Sequence, residues 1–506
     1  DNELPYPEGR ACAEVLKAST GETSASKWIF IGLAVGFLVK LALGLVHLMP
    51  DQIRVVISGL PKAQLALEIA PALLAVGYII GYRSAGIMVS GSLIAAIVLI
   101  PLFAIIGDQL TGPLFPEILN AKSRVPIHDM SPSQIWASYV RYIGAGAVAA
   151  AGTITVIQSF PTMFASLKAV VAGLRKENKT EMFGSDEHIR TDKDLPSWVI
   201  VGGVTLVILV LAFVPGLFAG NLNLFQRFVA AVGVAIFGLL FVAVSSRIVG
   251  LIGVSSNPTS GMTLVTLLAT SAIFVALGWR GGDAKLAVLT VGTVVCIAAS
   301  KAGDISQDLK TGYLVGGTPY LQQAGQLLSA SIACWAVAGT VLILGKTYTF
   351  GSQELPAPQA TLMKTVIEGV LSGSLPWGLV GTGMAFAIAA ILAGLPGLTF
   401  AIGLYLPLSS MTPIFLGGLI RRWSDKKDPA KSQNGVLCAS GLIAGEGIAG
   451  IALAIAVAAG LISKDQTVMI GGLAGDVASL ILIVLIMVLL FSAPANLRKA
   501  DLNVPE

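Results

Sequence analysis

Apolar windows long enough to cross roughly 30 Å of hydrocarbon recur along nearly the whole chain, and this fixes the class of fold before any motif is considered. In lipid every backbone N–H and C=O must find a partner inside the chain, so windows of this kind fold as helices. A membrane barrel would instead show alternating segments of about ten residues. Hydrophobic residues make up 55% of the 506 and charged residues 12%, about half the charged share of a soluble domain. The expected fold is all-α: a polytopic integral membrane protein whose residues 1–506 form a single membrane domain, with no large soluble domain between the spans.

Spans are predicted at about 27–49, 65–82, 84–106, 138–168, 197–219, 226–252, 260–278, 284–300, 324–345, 374–394, 398–420, 435–463 and 469–491. Loops are short except around 107–137, 175–196, 301–323 and 346–373, and several of these are apolar enough to dip into the membrane as re-entrant or half-helices. Two loops concentrate base: Arg175, Lys176, Lys179, Arg190 and Lys193 within 175–196, and Arg421, Arg422, Lys426, Lys427 and Lys431 within 421–434. Both are expected to be cytoplasmic. Simple crossings between them would place them on opposite sides, so one crossing is missing. The short segment Pro358 to Gly369, which has helical period, supplies it and brings the expected total to about 12–14 helices.

The stretch from Gly77 to Ile94 aligns without gaps on Gly403 to Ile420, matching Gly77 with Gly403, Ser84 with Ser410, Gly91 with Gly417 and the closing Leu-Ile. Pro358 to Gly369 likewise echoes Pro7 to Ala18. An internal duplication is expected, with repeat-related segments inside 1–196 and 355–506. Repeats with broken or short helices in corresponding positions mark a transporter whose site lies at the repeat interface. A chance alignment of Gly, Leu and Ile is the alternative.

Charge among such spans needs a reason, because ionisable groups at membrane depth are costly unless they line a cavity or find partners. In Gly303 to Tyr313, Asp304, Gln307, Asp308 and Thr311 fall at i, i+3, i+4 and i+7 if the stretch is helical, and then form a polar stripe beside Lys310 and Tyr313. That stripe is expected to face water, an ion or a substrate. Glu8 and Glu14 sit in a Pro-led helix start with Arg10 and Lys17. They belong either to a self-compensated interfacial helix or to a half-helix lining a path. Asn257 and Ser260 lie in a tight polar link between two spans, where broken backbone binds a ligand or merely turns. Arg83 is a snorkelling or path residue. Lys364 and Glu368, at i and i+4, are a structural pair or part of a second path. Glu446, flanked by Gly445 and Gly447, and Asp476 lie among small residues with few escape routes to water. Glu446 is the stronger proton-carrying candidate, since a carboxyl kept from water binds protons more readily.

Cys12, Cys296, Cys334 and Cys438 show no paired spacing, and His47, His128 and His188 are the only histidines, so no metal site and no cofactor is expected. A net charge of +4 over this length argues against nucleic acid. No nucleophile elbow, zinc-protease helix, phosphate loop or dinucleotide fingerprint occurs, so the chain does not read as an enzyme or an ATPase. The charged opening carries no apolar core of a signal peptide.

The run Asp304 to Tyr313 followed by Thr318-Pro319 resembles the signature of the oligopeptide transporter (OPT) family. Pro7 to Leu16, Ser255 to Met262 and Pro358 to Gly369 are similar to segments of its prokaryotic branch, which is related to the yellow-stripe-like carriers of metal chelates. The resemblance implies a proton-coupled symporter for oligopeptides or peptide-like metal chelates, multi-pass in the cell (cytoplasmic) membrane of a bacterium. Its partners would be the substrate, protons and the lipid bilayer, and a homo-oligomer is left open. It also implies further helices before Asp1, which makes the chain a fragment. Tyr320-Leu321 stand where relatives often carry a basic residue. A passive channel using the same stripe is the alternative, and an intramembrane enzyme a remoter one.

Overall fold

A computed structural model describes residues 6, 9–10, 12–13, 16, 27–109, 126–155, 157–158, 161, 190–252, 257, 259–351, 355, 357–372, 376–427, 432–462 and 468–492. In chain order the elements are α1 (Lys27–Gly44), β1 (Gln52–Val56), β2 (Gln64–Glu68) and α2 (Pro71–Leu93), which runs on through a π-helical Ile94–Leu99 to Gly107. Next comes α3, which starts at Pro132, passes through π-helical Trp136–Val140 and continues over residues 141–155. It is followed by α4 (Ser197–Phe213), α5 (Leu224–Ile252), α6 (Thr259–Ala276), α7 (Gly282–Leu314), α8 (Pro319–Thr347) and α9 (Pro358–Ser372). The chain closes with α10 (Trp377–Leu392), α11 (Gly397–Tyr405), α12 (Leu408–Lys427), α13 (Ser432–Ala458) and α14 (Gly472–Ser492).

Among the described residues eight helices are long and apolar enough to cross a membrane: Lys27–Gly44, Pro71–Gly107, Leu224–Gly250, Thr259–Ala276, Gly282–Leu314, Pro319–Thr347, Gly435–Ala458 and Gly472–Ser492. Trp198–Phe213 and Trp377–Leu392 are shorter apolar helices. The multi-pass helical class stands, with three corrections. First, β1 and β2 form an antiparallel hairpin, Gln52 opposite Glu68 and Val56 opposite Gln64, so the chain is not wholly α. The window read as a span from residue 65 therefore begins as a strand, and the helix starts only at Pro71, whose fixed φ suits a first turn. Second, the break between the spans read as 65–82 and 84–106 falls at Gly81, which leaves only residues 71–80 helical in the first of them. Third, α7 does not stop at residue 300 but carries the charged stretch to Leu314. Polar residues lower hydropathy without breaking a helix; α7 ends where Gly316 takes a φ of 79° and Pro319 follows.

The chain divides into two compact units. One holds residues 1–22, 152–338 and 359–375. Its core is formed by α5, α6 and α7 around Phe241, Val244, Ile248, Met262, Val295 and Ala299. The other holds residues 23–151, 339–358 and 376–506, with a core that includes Val39, Leu74, Tyr78, Ile420, Leu442 and Ile483.

Inside this second unit the glycine contacts are reciprocal. Gly77 lies against the backbone of Ile414, and Gly403 against that of Met88; in the alignment Gly77 matches Gly403, and Met88 matches Ile414. Gly91 packs on Phe400 and Leu404, and its match Gly417 packs on Leu74 and Tyr78, the matches of those two residues. The same exchange relates the outer helices. Gly36 of α1 meets Leu442 and Glu446 of α13, as Gly383 of α10 meets Ile143 and Ala147 of α3. Gly445 meets Leu33 as Gly146 meets Val380. An interface that maps onto itself when two segments are exchanged is self-complementary, and backbone contact this close admits only small residues.

Candidate functional site

The helix α2 breaks at Gly81, where φ is 81° and ψ 169°, a conformation open to glycine and closed to most side chains. Between α11 and α12 the chain is extended at Leu406 (φ −88°, ψ 148°) and restarts after Pro407. Gly81 and Pro407 are matched positions of the two aligned stretches, so both carry an interruption at the same place by different means.

A cavity of about 270 Å³ opens at the second interruption, lined by Pro407, Ser409 and Ser410 together with Asp51 ahead of β1, Arg54 of β1, Glu68 of β2 and Trp136 of α3. The Trp136 indole N–H is buried with no acceptor among the described residues. Ser410 Oγ donates to Glu68 Oε2 at 2.8 Å. Burial pushes the Glu68 carboxyl above the usual carboxylate range. The Ser410 hydrogen bond and Lys40 oppose that rise, while Glu446 and Asp51 add to it. Glu446 accepts from the Ala72 N–H, at the positive end of α2, at 2.7 Å, and its other oxygen is 3.7 Å from Lys40 Nζ. Glu68, Glu446, Lys40 and Ser410 thus form one ionisable cluster where the hairpin, α1, α2, α12 and α13 meet.

In the first unit the stripe on α7 divides. Gln307 is buried; its Oε1 accepts from the Gly9 N–H at 2.7 Å and its Nε2 donates to the Val249 carbonyl at 3.1 Å. Thr311 Oγ1 donates to the Gly9 carbonyl at 2.9 Å. Asp304 pairs with Lys301 at 2.9 Å, and the exposed Asp308 receives Gln326 Nε2 at 3.3 Å. Lys310 lies over the rings of Tyr6 and Tyr313. Two of the four stripe residues therefore hold the backbone at Gly9. Gln307→Ala should leave the Gly9 N–H and the Val249 carbonyl without that partner and cost about 1–3 kcal/mol. Thermal unfolding in detergent, with limited proteolysis near residue 9, reads the loss.

Of the other sequence candidates, Asn257 Nδ2 donates to Ser245 Oγ at 2.7 Å and Ser260 opens α6. Glu368 pairs with Lys285 of α7 rather than turning only to Lys364, which is exposed. Arg83 is exposed two residues past the break in α2. Glu8 and Glu14 lie outside the described residues, as do 175–189 and 428–431 of the two basic loops. The described end of the first loop docks on the turn before α8: Arg190 donates to Thr318 Oγ1 at 2.7 Å and Lys193 lies over the Tyr320 ring. Of the candidates only Glu446 joins the cluster near the cavity. Sequence reasoning missed Lys40, Asp51, Arg54, Glu68 and Ser410. The available signal was that Glu68 is the sole ionisable carboxyl in the window read as the span 65–82, and Lys40 a lone ammonium deep in 27–49. No cluster of metal ligands occurs among the described residues.

Interrupted helices in matched positions beside a charged cavity define a multi-pass membrane protein of the carrier kind. The chain belongs to the OPT oligopeptide transporter family, whose model, "OPT oligopeptide transporter protein", matches residues 1–457. It is similar to a Haemophilus influenzae protein named "Putative oligopeptide transporter", 28% identical over 91% of this chain and 77% of the relative. It is also similar to the "Probable metal-nicotianamine transporter YSL8" of Arabidopsis thaliana, 27% identical over 54% of this chain and 38% of the relative. The "Iron-phytosiderophore transporter YSL15" of Oryza sativa subsp. japonica is 25% identical over 30% of this chain and 24% of the relative. The match thus spans less than two fifths of either plant relative.

Proposed function

We propose that the chain works as a proton-coupled symporter for oligopeptides or peptide-like metal chelates, and that the duplication expected from sequence is its mechanical frame. One observation carries the reading: a cavity with charges of both signs opens at a helix interruption that has a matched partner in the other copy. Arg54, whose Nε and Nη2 donate to Gln52, keeps further N–H groups for a carboxylate, and Asp51 offers an acceptor for an ammonium group, a set that suits the two ends of a peptide or the mixed groups of an amino-carboxylate chelate. The buried Trp136 N–H adds a neutral donor. Coupling requires only that a carboxyl be neutral in one access state and charged in the other, because an unpaired charge is penalised on the way through lipid. Glu446 or a neighbouring carboxyl supplies that change. Within the first unit Asp304 and Asp308 of α7 are candidate path residues, with Gln307 and Thr311 seating the Gly9 segment.

Purified protein in proteoliposomes should take up labelled di- to hexapeptides or iron or nickel chelates in a saturable way, faster with an inward proton gradient. Equal uptake with and without the gradient rejects proton coupling. Ion current that does not saturate with substrate rejects the carrier in favour of a channel.

A further inference from the structure

We propose that Glu68 is the group that takes up and releases the coupling proton, with Glu446 and Lys40 as the fixed charges around it. This rests on the proton-coupled reading and names the residue behind it.

The two copies of the frame act as a control on what packing alone demands. Gly36 and Gly383 occupy matched places, and four residues further along each helix stand Lys40 in one copy and Ala387 in the other. Glu446 and Ala147 both approach the matched glycine through their backbone nitrogen, so they too are equivalents. Carrying the Gly77–Gly403 alignment back to Glu68 reaches Gly394. One copy thus keeps the same glycine crossings with Ala387 and Ala147 where the cluster has Lys40 and Glu446, and it has no carboxyl at the position aligned with Glu68. The frame does not need these charges, and ionisable groups in apolar surroundings that the frame does not need are kept for function.

Within the cluster the two carboxyls differ. Glu446 already has the Lys40 ammonium at 3.7 Å and the Ala72 N–H at the start of α2. Its charge is compensated in place. Glu68 has a hydroxyl donor, Ser410, and lines the cavity. It faces Lys40 from α1, Glu446 from α13, Asp51 ahead of β1 and Ser410 on α12, and Arg54 lines the same cavity. Burial raises its affinity for a proton, as described above. In the proton step an O–H bond forms between a Glu68 carboxylate oxygen and a proton delivered from cavity water; release reverses it, and nothing is oxidised or reduced. Because the Ser410 hydroxyl sits just after the Pro407 interruption, loading Glu68 changes a hydrogen bond to the very segment whose position shapes the cavity.

The test compares unaltered protein, Glu68→Gln and Ser410→Ala in proteoliposomes, measuring peptide uptake driven by a proton gradient and substrate exchange without one. Glu68→Gln keeps the shape and an acceptor for Ser410. Its gradient-driven uptake should fall to the level seen without a gradient, while exchange persists and loses its dependence on pH. Ser410→Ala removes a donor that favours the charged carboxylate, so the pH midpoint of exchange should move upward. A merely structural role for Glu68 would move neither pH profile. Gradient-driven uptake retained by Glu68→Gln overturns the assignment while leaving proton coupling intact. Uptake by unaltered protein that ignores the gradient overturns both.

Discussion

Replacing Gly417 by alanine is expected to cost about 3 kcal/mol or more and to remove most of the monodisperse protein recovered in detergent. A methyl group there falls on the Leu74 carbonyl oxygen and 2.8 Å from the Tyr78 nitrogen. Both are backbone atoms of a packed helix, so neither can swing aside as a flexible side chain would. The interface must separate, and every contact along α2 and α12 loosens with it. Gly91→Ala should do comparable damage, since its methyl group would lie 2.6 Å from the Phe400 oxygen and the Leu404 nitrogen, the reciprocal contact. Gly378→Ala, in open space on α10, is the control and should be neutral or slightly stabilising, because alanine is the better helix former. Size-exclusion profiles and melting temperatures of the three variants decide the matter. If Gly91→Ala and Gly417→Ala differ widely, the reciprocity is geometric without being energetic.

The second large effect is expected at Lys40 and Glu446. Glu446→Ala alone strips Lys40 of its counter-charge and leaves the Ala72 N–H without its acceptor, at a cost of about 1–3 kcal/mol. The double variant Lys40→Ala/Glu446→Ala reproduces the pair that the other copy carries, Ala387 and Ala147, and should recover the part of that loss due to the unpaired ammonium. Transport should behave in the opposite way: the double variant folds well and yet loses gradient-driven uptake, because the fixed charges are gone. Melting temperature and proteoliposome uptake measured on the same preparations separate the two readouts. A double variant less stable than the single would show that the pair holds the fold together.

The helical membrane class was legible because hydropathy over some twenty residues reports directly on transfer into lipid. Breaks in that signal misled where they had other causes. The charged run after residue 300 read as a loop, but Lys301 and Asp304 pair at i and i+3 and α7 continues through them. The strand Gln64–Glu68 read as helix because Leu65, Ala66 and Leu67 are apolar in any secondary structure and its partner strand adjoins only in space. The match of Gly77–Ile94 to Gly403–Ile420 was visible as spacing, whereas the outer pairs, α1 with α13 and α10 with α3, were not. Their glycines carry no side chain to align, and only the crossing of backbones reveals their equivalence. The spacing of the stripe on α7 fitted a helical face, but spacing alone could not say that Gln307 and Thr311 would meet the backbone of Gly9. Glu68 and Lys40 were not legible as a site because their partners, Ser410 and Glu446, lie far along the chain and adjoin them only in space.

The exchange of partners between copies also dictates an order of assembly. Gly36 of α1 rests on Leu442 of α13, a helix made ~400 residues later, and at roughly 5–20 residues per second the ribosome supplies it only after about 20–80 s. During that interval α1 stands in the bilayer with its glycine face bare, and α3 waits in the same way for α10. A newborn chain of this design depends on an insertion machinery that shelters unfinished helices, and truncation anywhere before α13 should leave an orphan for membrane proteases to clear.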